Sequence, residues 1–251
     1  MRILLPLLGA LVMTHAQAQK CTARSGERTA ALVELYTSEG CSSCPPADRW
    51  LSSLGRSYRP GQVVALALHV DYWDYIGWKD PYAKREFSQR QRRLSQQQRL
   101  ALVYTPQVLV QGVDFRAWGG AEFDRAVARI NAQPARAALE LEVLGHSADG
   151  VALRARATVA DPQQVTDAAL YVAAYENRLE STVTAGENRG RVLSHDRVVL
   201  EWQGPFGLGE RQLKLAFVPR AKAADSGVVA FVQNRRTTEV LQALLLEACM
   251  P

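Results

Sequence analysis

The chain has 251 residues, four cysteines and a formal net charge of +5. This length suits one large domain or two of ordinary size, and the small positive charge favours solubility without identifying a partner. After residue 18 there is no internal repeat, no low-complexity tract and no apolar run of the ~20 residues that a membrane helix needs, which argues against a repeat protein and against membrane insertion.

The first 18 residues predict a secretory signal peptide. Arg2 supplies the positive charge at the start, residues 3–13 are mostly apolar, and residues 16–18 (Ala-Gln-Ala) form a small-x-small cleavage site. We therefore expect a mature chain that begins near Gln19 and is periplasmic or secreted. Disulfides persist in such compartments.

A CxxC motif stands between a predicted strand (31–36) and a predicted helix (45–54). Pro45 suits the first turn of the helix, where its missing N–H is harmless. The N-terminus of the helix favours a thiolate on the first cysteine, and two intervening residues let both sulfurs meet. This placement predicts thiol–disulfide chemistry, with Cys41 as the attacking thiol and Cys44 as the resolving thiol. A static structural disulfide is the alternative.

The rest of the first half alternates strands and helices. The predicted elements are a strand at 63–70, a helix at 81–100, strands at 107–111 and 113–116, and a helix at 119–130. The continuous apolar run at 63–70 is typical of a strand that is buried on both faces of a parallel sheet. Together with the first strand and helix, the predicted order is β-α-β-α-β-β-α.

The second half, after Pro134, consists mainly of alternating runs with turn residues between them. The predicted strands are 138–144, 151–159, 169–175, 191–202, 212–218 and 227–232, whereas 239–246 could be a strand or a short helix. Several short strands at this spacing favour an all-β sandwich of Ig-like type. We therefore expect two domains, at residues 19–134 and 135–251.

The first half resembles the thioredoxin superfamily in three features: the element order, the CxxC after the first strand, and Thr105-Pro106 before the third strand. More narrowly, residues 35–48, 69–81, 104–107 and 186–191 resemble the exported thioredoxin-like family known as domain of unknown function 1223. The resemblance implies an α/β thioredoxin-like N-terminal domain with a redox site, but no substrate.

The resemblance also implies roles for residues outside the motif. Pro106 would be a cis-proline that faces the CxxC, and together with Thr105 it would align the substrate chain. Glu34, inside the first buried strand, would accept the proton of Cys44. The alternative for Glu34 is a carboxylate that faces water at a strand edge or pairs with an arginine.

Two departures from the superfamily pattern leave the redox potential and the direction of reaction open. The dipeptide between the cysteines is Ser42-Ser43, and Gly40 stands where an aromatic residue is usual before the first cysteine. Neither departure affects the capacity to form a disulfide.

An aromatic and acidic loop, residues 71–78, follows the strand at 63–70. Loops at the carboxyl ends of parallel strands form the functional face of an α/β sheet. Trp73, Asp74 and Trp78 are therefore candidates for substrate binding at the rim of the CxxC, as is Asp71. The alternative is that the aromatic residues cover the sheet and the helix as part of the core.

His69 could in principle join the two cysteines of the motif as a ligand of zinc or copper. Three ligands fall short of the four that a structural zinc site uses, so we predict a core histidine, no metal and no other cofactor. The helix at 81–100 is rich in basic residues, which we predict to form a solvated face, with no nucleic-acid partner. These residues are Lys84, Arg85, Arg90, Arg92, Arg93 and Arg99.

Cys21 and Cys249 remain, one near each end of the mature chain. Because chain ends often lie close together, we predict that they form a structural disulfide separate from the CxxC pair, with free thiols as the alternative. In the second half, residues 186–191, His195 and residues 234–236 are candidates for a partner-binding surface or for ordinary turn and edge residues.

These features together predict an exported thiol–disulfide oxidoreductase that acts on protein or small-molecule disulfides. Its partners would be protein thiols or disulfides, or a redox partner in the periplasm. Two alternatives are a metal-handling protein that binds copper through the reduced cysteines, and a binding module in which the CxxC bridge is static and the sandwich recognises the partner.

Overall fold

The structure, a computed structural model, describes residues 21–161, 163, 166–217, 219 and 225–247. The predicted signal peptide and Cys249 lie outside the described residues, so the signal and the Cys21–Cys249 pairing stay predictions. None of the helices in the described ranges is long and apolar enough to cross a membrane.

Strands and helices alternate in the first half as the sequence predicts. The elements are β1 (Thr22–Arg24), β2 (Ala31–Thr37), α1 (Pro45–Ser57), β3 (Val63–His69), a 3-10 helix (Asp71–Ile76), α2 (Arg85–Gln97), β4 (Gln107–Val110), β5 (Val113–Asp114) and α3 (Ala121–Asn131). From β2 to α3 the order of strands and α-helices is the predicted one. The 3-10 helix lies in the predicted aromatic loop, whereas β1 was not predicted.

The second half contributes strands to the sheets. They are β6 (Ala137–Ser147), β7 (Gly150–Val159), β8 (Ala168–Glu176), β9 (Leu179–Thr182), β10 (Val192–His195), β11 (Val198–Phe206), β12 (Gly209–Leu215), β13 (Ser226–Asn234) and β14 (Val240–Glu247). The run 191–202 divides into β10 and β11 at a turn in which Arg197 has a positive φ of 59°. The ambiguous segment 239–246 is a strand.

Two large sheets build the molecule. One has eight strands in the order β14-β13-β8-β11-β3-β2-β4-β5, and the other has four strands in the order β1-β6-β7-β12. Strand β3 pairs in parallel with β2 and with β11, whereas β4 is antiparallel to β2 and the β8, β13 and β14 pairings are antiparallel. This mixed sheet with parallel strands in the N-terminal region is consistent with a thioredoxin-like fold joined to a β region.

Hydrogen bonding crosses the predicted boundary near residue 134 in both directions. Strand β11 of the second half pairs with β3 through Val198 and Ala67, and β1 pairs with β6. The four-stranded sheet packs on one end of the eight-stranded sheet through an apolar core that includes Leu139, Leu153 and Val172. A two-sheet sandwich is therefore present, but it shares a sheet with the first half. The Ig-like type and the division at 134 stay predictions.

Residues of β2 alternate between two faces of the large sheet. Val33 and Leu35 pack in the core that contains Leu51 of α1, whereas Leu32 and Tyr36 pack in the core on the other side. Because side chains alternate along a strand, Glu34 shares the face of Leu32 and Tyr36. This face is opposite to the one that α1 covers.

Candidate active site

Cys41 and Cys44 form a disulfide at the N-terminal end of α1, where Cys44 is the N-cap residue. Their Cα atoms are 5.5 Å apart. The backbone N–H of Cys41 donates to the carbonyl of Ser38 at 3.1 Å, and that of Cys44 donates to the carbonyl of Cys41 at 3.2 Å. The hydroxyl oxygen of Ser43 lies 3.3 Å from Sγ of Cys41, within reach of a thiolate on that sulfur.

Both cysteines are covered by other parts of the chain. Cys41 is 1% exposed and Cys44 is 0% exposed. The 3-10 helix packs directly on Gly40, because a Cβ atom there would lie 3.1 Å from Cβ of Trp73 and 3.2 Å from Cδ1 of Ile76. This contact leaves little room for a side chain at Gly40, the position at which the resemblance leads us to expect an aromatic residue.

A segment of the second half, residues 186–191, also contacts the motif. The side-chain amide of Asn188 donates from Nδ2 to the carbonyl of Glu39 at 2.8 Å and to the carbonyl of Cys41 at 3.0 Å. The backbone N–H of Ser42 donates to the carboxylate of Glu187 at 2.9 Å. Residues 186–191, for which the sequence predicts either a partner-binding surface or an ordinary turn, therefore lie against the CxxC motif.

Two histidines and three carboxylates are buried next to the motif. We call this group the His–carboxylate cluster; its members are Glu39, Asp48, His69, Asp80 and His195. Nε2 of His195 lies 3.0 Å from the Glu39 carboxylate and its Nδ1 lies 4.0 Å from that of Asp48. Nδ1 of His69 lies 2.7 Å from the Asp80 carboxylate, and the centroids of the two imidazole rings are 5.0 Å apart.

Burial and pairing shift the pKa values of this cluster in different directions. Burial raises the pKa of Asp48 above its usual value, although His195, His69 and a hydrogen bond from Thr37 act against it. Burial acts to lower the pKa of His69, but the Asp80 carboxylate outweighs it and the pKa is raised. Burial acts to raise the pKa of Asp80, but His69 outweighs it and the pKa is lowered. His69 and Asp80 therefore favour the charged pair.

Asp48 is a buried carboxylate in α1. Its backbone N–H donates to the carbonyl of Cys44 at 3.1 Å, one helical turn earlier. Its carboxylate accepts a hydrogen bond from the hydroxyl of Thr37 at 2.8 Å, and the residue is 7% exposed. Sequence reasoning missed this residue, although its spacing of four from Cys44 in a helix is a usable signal.

Glu34 lies on the face of the sheet opposite to α1, where it forms a buried ion pair with Arg90. The guanidinium donates to the carboxylate from Nε at 2.7 Å and from Nη2 at 3.1 Å, and the hydroxyl of Tyr36 donates at 3.3 Å. This arrangement agrees with the alternative of a carboxylate paired with an arginine. The predicted proton transfer between Glu34 and Cys44 does not fit this geometry.

Arg90 corrects the prediction of a solvated basic face on α2. It is buried, it also donates to Gln233, and its guanidinium lies 4.9 Å from the ring centroid of Trp202. Phe87, Arg90 and Leu94 follow at the spacing of one helix face, and all three are buried. The spacing of Arg90 from Phe87 and Leu94 could therefore have predicted that Arg90 is buried.

The Thr105–Pro106 peptide bond is cis, as the resemblance implies. The indole Nε1–H of Trp73 donates to the hydroxyl of Thr105 at 2.8 Å, and Trp73 also packs on Gly40. The structure therefore brings together three segments that the sequence singled out: residues 40–44, the aromatic loop and residues 105–106. The roles of Thr105 and Pro106 toward a substrate stay predictions.

Asp74 and Trp78 join the aromatic loop to the cluster. The indole of Trp78 donates to the carboxylate of Glu39 at 2.8 Å, and the Asp74 carboxylate accepts from the backbone N–H of Asp80 at 3.3 Å. Burial raises the pKa of Asp74. These contacts position the loop, and the predicted substrate-binding role of Trp73, Asp74 and Trp78 stays a prediction.

Within the ranges that the structure describes, no group of three or more His, Cys, Asp or Glu side chains is arranged to hold a metal ion. His69 is fully inside the core and its Nδ1 pairs with Asp80 rather than joining the cysteines. Two ring nitrogens of the cluster, Nε2 of His69 and Nδ1 of His195, are buried and have no hydrogen-bond partner among the described residues.

The comparisons with known proteins cover most of the chain. A family model described as a protein of unknown function (DUF1223) matches residues 32–233. The crystal structure of AGR_C_4864 from Agrobacterium tumefaciens is 27% identical, with 89% of this chain and 96% of that chain covered and a TM-score of 0.60. HBP35 of Porphyromonas gingivalis is 17% identical, with 89% and 76% covered and a TM-score of 0.64, which shows a likeness of fold alone. No curated protein matches the chain.

Proposed function

The chain belongs to the family described as a protein of unknown function (DUF1223), and we propose that it is an exported thiol–disulfide oxidoreductase acting on protein or small-molecule disulfides through Cys41 and Cys44. The observation that carries the proposal is the Cys41–Cys44 disulfide at the N-terminus of α1. A bridge that closes so short a ring at a helix N-terminus is suited to exchange with other thiols.

The exchange reaction in the reducing direction has two steps. The Cys41 thiolate attacks one sulfur of a substrate disulfide, which forms a mixed disulfide and releases the other substrate sulfur as a thiolate. Cys44 then loses its proton and attacks Sγ of Cys41, which restores the bridge and releases the second substrate sulfur. Two electrons pass to the substrate, and the oxidising direction is the reverse.

Asp48 is the residue that takes the proton from Cys44 in this proposal, in place of Glu34. Asp48 lies one helical turn from Cys44 in α1. Burial raises the pKa of its carboxyl toward the pKa of a thiol, which makes it a better base than an exposed aspartate. The Thr37 hydroxyl holds the carboxylate by a hydrogen bond, and Nδ1 of His195 lies 4.0 Å from it.

Substrate access requires movement of the groups that cover Cys41. The 3-10 helix packs on the preceding residue, Gly40, and Asn188 in residues 186–191 donates to the carbonyl of Cys41, so these two segments are the ones we expect to move. Trp73, Asp74 and Trp78 would form the rim that meets the substrate, and Thr105 with Pro106 would align the substrate chain. The redox partner would be a thiol or disulfide protein of the periplasm.

The proposal is tested with the mature protein in two assays. In the first, the reduced protein is incubated with insulin and the precipitation of reduced insulin is followed; Cys41→Ser and Cys44→Ser are the controls and should be inactive. In the second, the CxxC pair is equilibrated with glutathione or dithiothreitol buffers. If the CxxC pair does not interconvert between its dithiol and disulfide forms at any poise between about −120 and −300 mV, the proposal is overturned.

A static bridge in a binding module is the second candidate, because both cysteines are covered. It predicts that the Cys41–Cys44 disulfide persists in the folded protein at poises near −300 mV, where an exchanging bridge is reduced. Alkylation of the free thiols followed by peptide mass spectrometry distinguishes the two candidates.

A further inference from the structure

We infer that Glu187, 146 positions after Cys41, restrains the reactivity of Cys41 by occupying the backbone N–H of the next residue, Ser42, and by placing a carboxylate there. The inference rests on the proposed function and deepens it, because it assigns a control residue in the second half of the chain to the CxxC site.

Few hydrogen-bond donors are free at the start of α1. The first residues of a helix normally offer unpaired N–H groups, which stabilise an adjacent anion. Here Pro45 and Pro46 have no N–H, and the N–H of Cys44 donates to the carbonyl of Cys41. The N–H of Ser42 is therefore one of a small number of donors in the residues that follow Cys41, together with the hydroxyl of Ser43, which lies 3.3 Å from Sγ of Cys41.

Glu187 removes this donor and adds a negative charge. Its carboxylate accepts from the Ser42 N–H at 2.9 Å. Hydrogen bonds from Ser42 lower the pKa of Glu187, so its carboxyl is ionised at neutral pH. A carboxylate next to Ser42 disfavours a second negative charge on the preceding residue, which is the thiolate of Cys41. The lost donor and the like charge act in the same direction, against the Cys41 thiolate.

The backbone around Glu187 is fixed, although the side chain itself is exposed. Asn188 is fully buried and donates two hydrogen bonds to carbonyls of the motif, and Arg191 donates to its Oδ1 at 3.0 Å. Gly186 has a φ of +73°, and a Cβ there would lie 2.9 Å from Cδ1 of Ile76. The turn is therefore seated on the 3-10 helix, which holds Glu187 over Ser42.

A substrate that displaces the Glu187 side chain frees the Ser42 N–H and removes the charge. Cys41 then gains a donor at the time when its thiolate is needed. In the absence of such a substrate, the thiol form is favoured and is less open to oxidation or alkylation.

The test measures the pH dependence of alkylation of Cys41 in the reduced full-length mature protein, by iodoacetamide and peptide mass spectrometry. Glu187→Gln removes the charge and keeps an acceptor, whereas Glu187→Ala removes both. We expect the apparent pKa of Cys41 to fall by about half a unit to one unit in Glu187→Gln and further in Glu187→Ala. Unchanged titration in both variants would overturn the inference.

Glu180→Gln is the matched control, because Glu180 lies in β9, is exposed and contacts Ser194 rather than the motif. An equal shift in this variant would show a general charge effect and would overturn the inference. The shift in Glu187→Gln should shrink at 1 M salt, where the screening length is about 3 Å. Alkylation is measured independently of the insulin assay, so the two proposals can fail separately. If the protein reduces insulin but the apparent pKa of Cys41 is the same in the Glu187 variants, only the inference is wrong. If the apparent pKa shifts but the protein does not reduce insulin, only the proposed function is wrong.

Discussion

The pair of His69 and Asp80 ties the stability of the fold to pH. The folded-state pKa of His69 is raised, so its contribution is fully present below the unfolded value of about 6.5 and is lost as pH rises through the folded value. The folded-state pKa of Asp80 is lowered, so its contribution is present above about 3.9 and is lost as pH falls through the folded value. The pair therefore stabilises most between these limits.

In the wild type, the free energy of unfolding should fall as pH rises above about 6.5, because His69 loses its proton. In His69→Gln this fall should be smaller. The variant keeps a polar partner for Asp80 but has no imidazolium to deprotonate. Urea unfolding at about pH 5.5, 7 and 8.5 measures the slope for the variant and the wild type. Equal slopes in this range would contradict the assignment.

Asp48→Asn should slow the second step of the exchange reaction without preventing the first. An amide cannot take the proton of Cys44, and loss of a general base typically costs at least ~100-fold in rate. In the wild type this step should accelerate as pH rises through the raised pKa of Asp48, because the carboxylate is the active form. The variant should lack this acceleration.

The lifetime of the mixed disulfide, followed by quenched-flow alkylation, measures this step. Glu34→Gln is the control, and it should leave the lifetime unchanged because Glu34 lies on the other face of the sheet. A slow step in Glu34→Gln but not in Asp48→Asn would restore the role that the resemblance implies.

Single residues of the site could be predicted where the signal is local in sequence. Cys41 and Cys44 follow from the motif and its position, and the cis bond before Pro106 follows from the resemblance. Asn188 and His195 could not be assigned, because their partner Glu39 is 149 and 156 positions away. Nothing in a local pattern links segments at such a separation.

At the scale of elements, the ion pair of Arg90 and Glu34 fastens α2 to the sheet. Arg90→Met should lower the free energy of unfolding by about 3–5 kcal/mol, because it leaves the Glu34 carboxylate buried without a cationic partner. The double variant Glu34→Gln with Arg90→Met should recover part of this loss. Urea unfolding measures both, and a loss below about 1 kcal/mol in the single variant would contradict this role of the pair.

The elements themselves were largely predictable from the spacing of apolar residues. Runs with period two correctly predicted β6 and β7, where buried and exposed positions alternate over much of each strand. Strands β8 and β13 are buried at every position, as the interior of a sheet covered on both faces requires. The apolar runs in the sequence predict that these strands exist, but no local pattern indicates which sheet a strand joins.

At the scale of the whole molecule, the two halves of the sequence share one core. Leu66 of the first half packs in the same apolar cluster as Tyr171 and Phe231 of the second half. Strand β3 has β11 as one of its neighbours, so the large sheet is incomplete without the second half.

A fragment of residues 19–134 should therefore lack the cooperative unfolding of the full mature chain. Its apolar face would be exposed, and the CxxC would lose its contacts with Asn188. Circular dichroism during urea titration measures this, with the full mature chain as the control. A fragment that unfolds cooperatively, with stability near that of the full chain, would show that the first half is an independent domain.

The central claim, that Cys41 exchanges disulfides and Cys44 resolves them, is tested most directly by trapping the intermediate. The Cys44→Ala protein, incubated with oxidised glutathione under native conditions, should accumulate one glutathione adduct on Cys41, identified by peptide mass spectrometry. Reduced wild-type protein should instead return to the Cys41–Cys44 bridge without a lasting adduct. Absence of an adduct on Cys41 in the folded variant would contradict the claim.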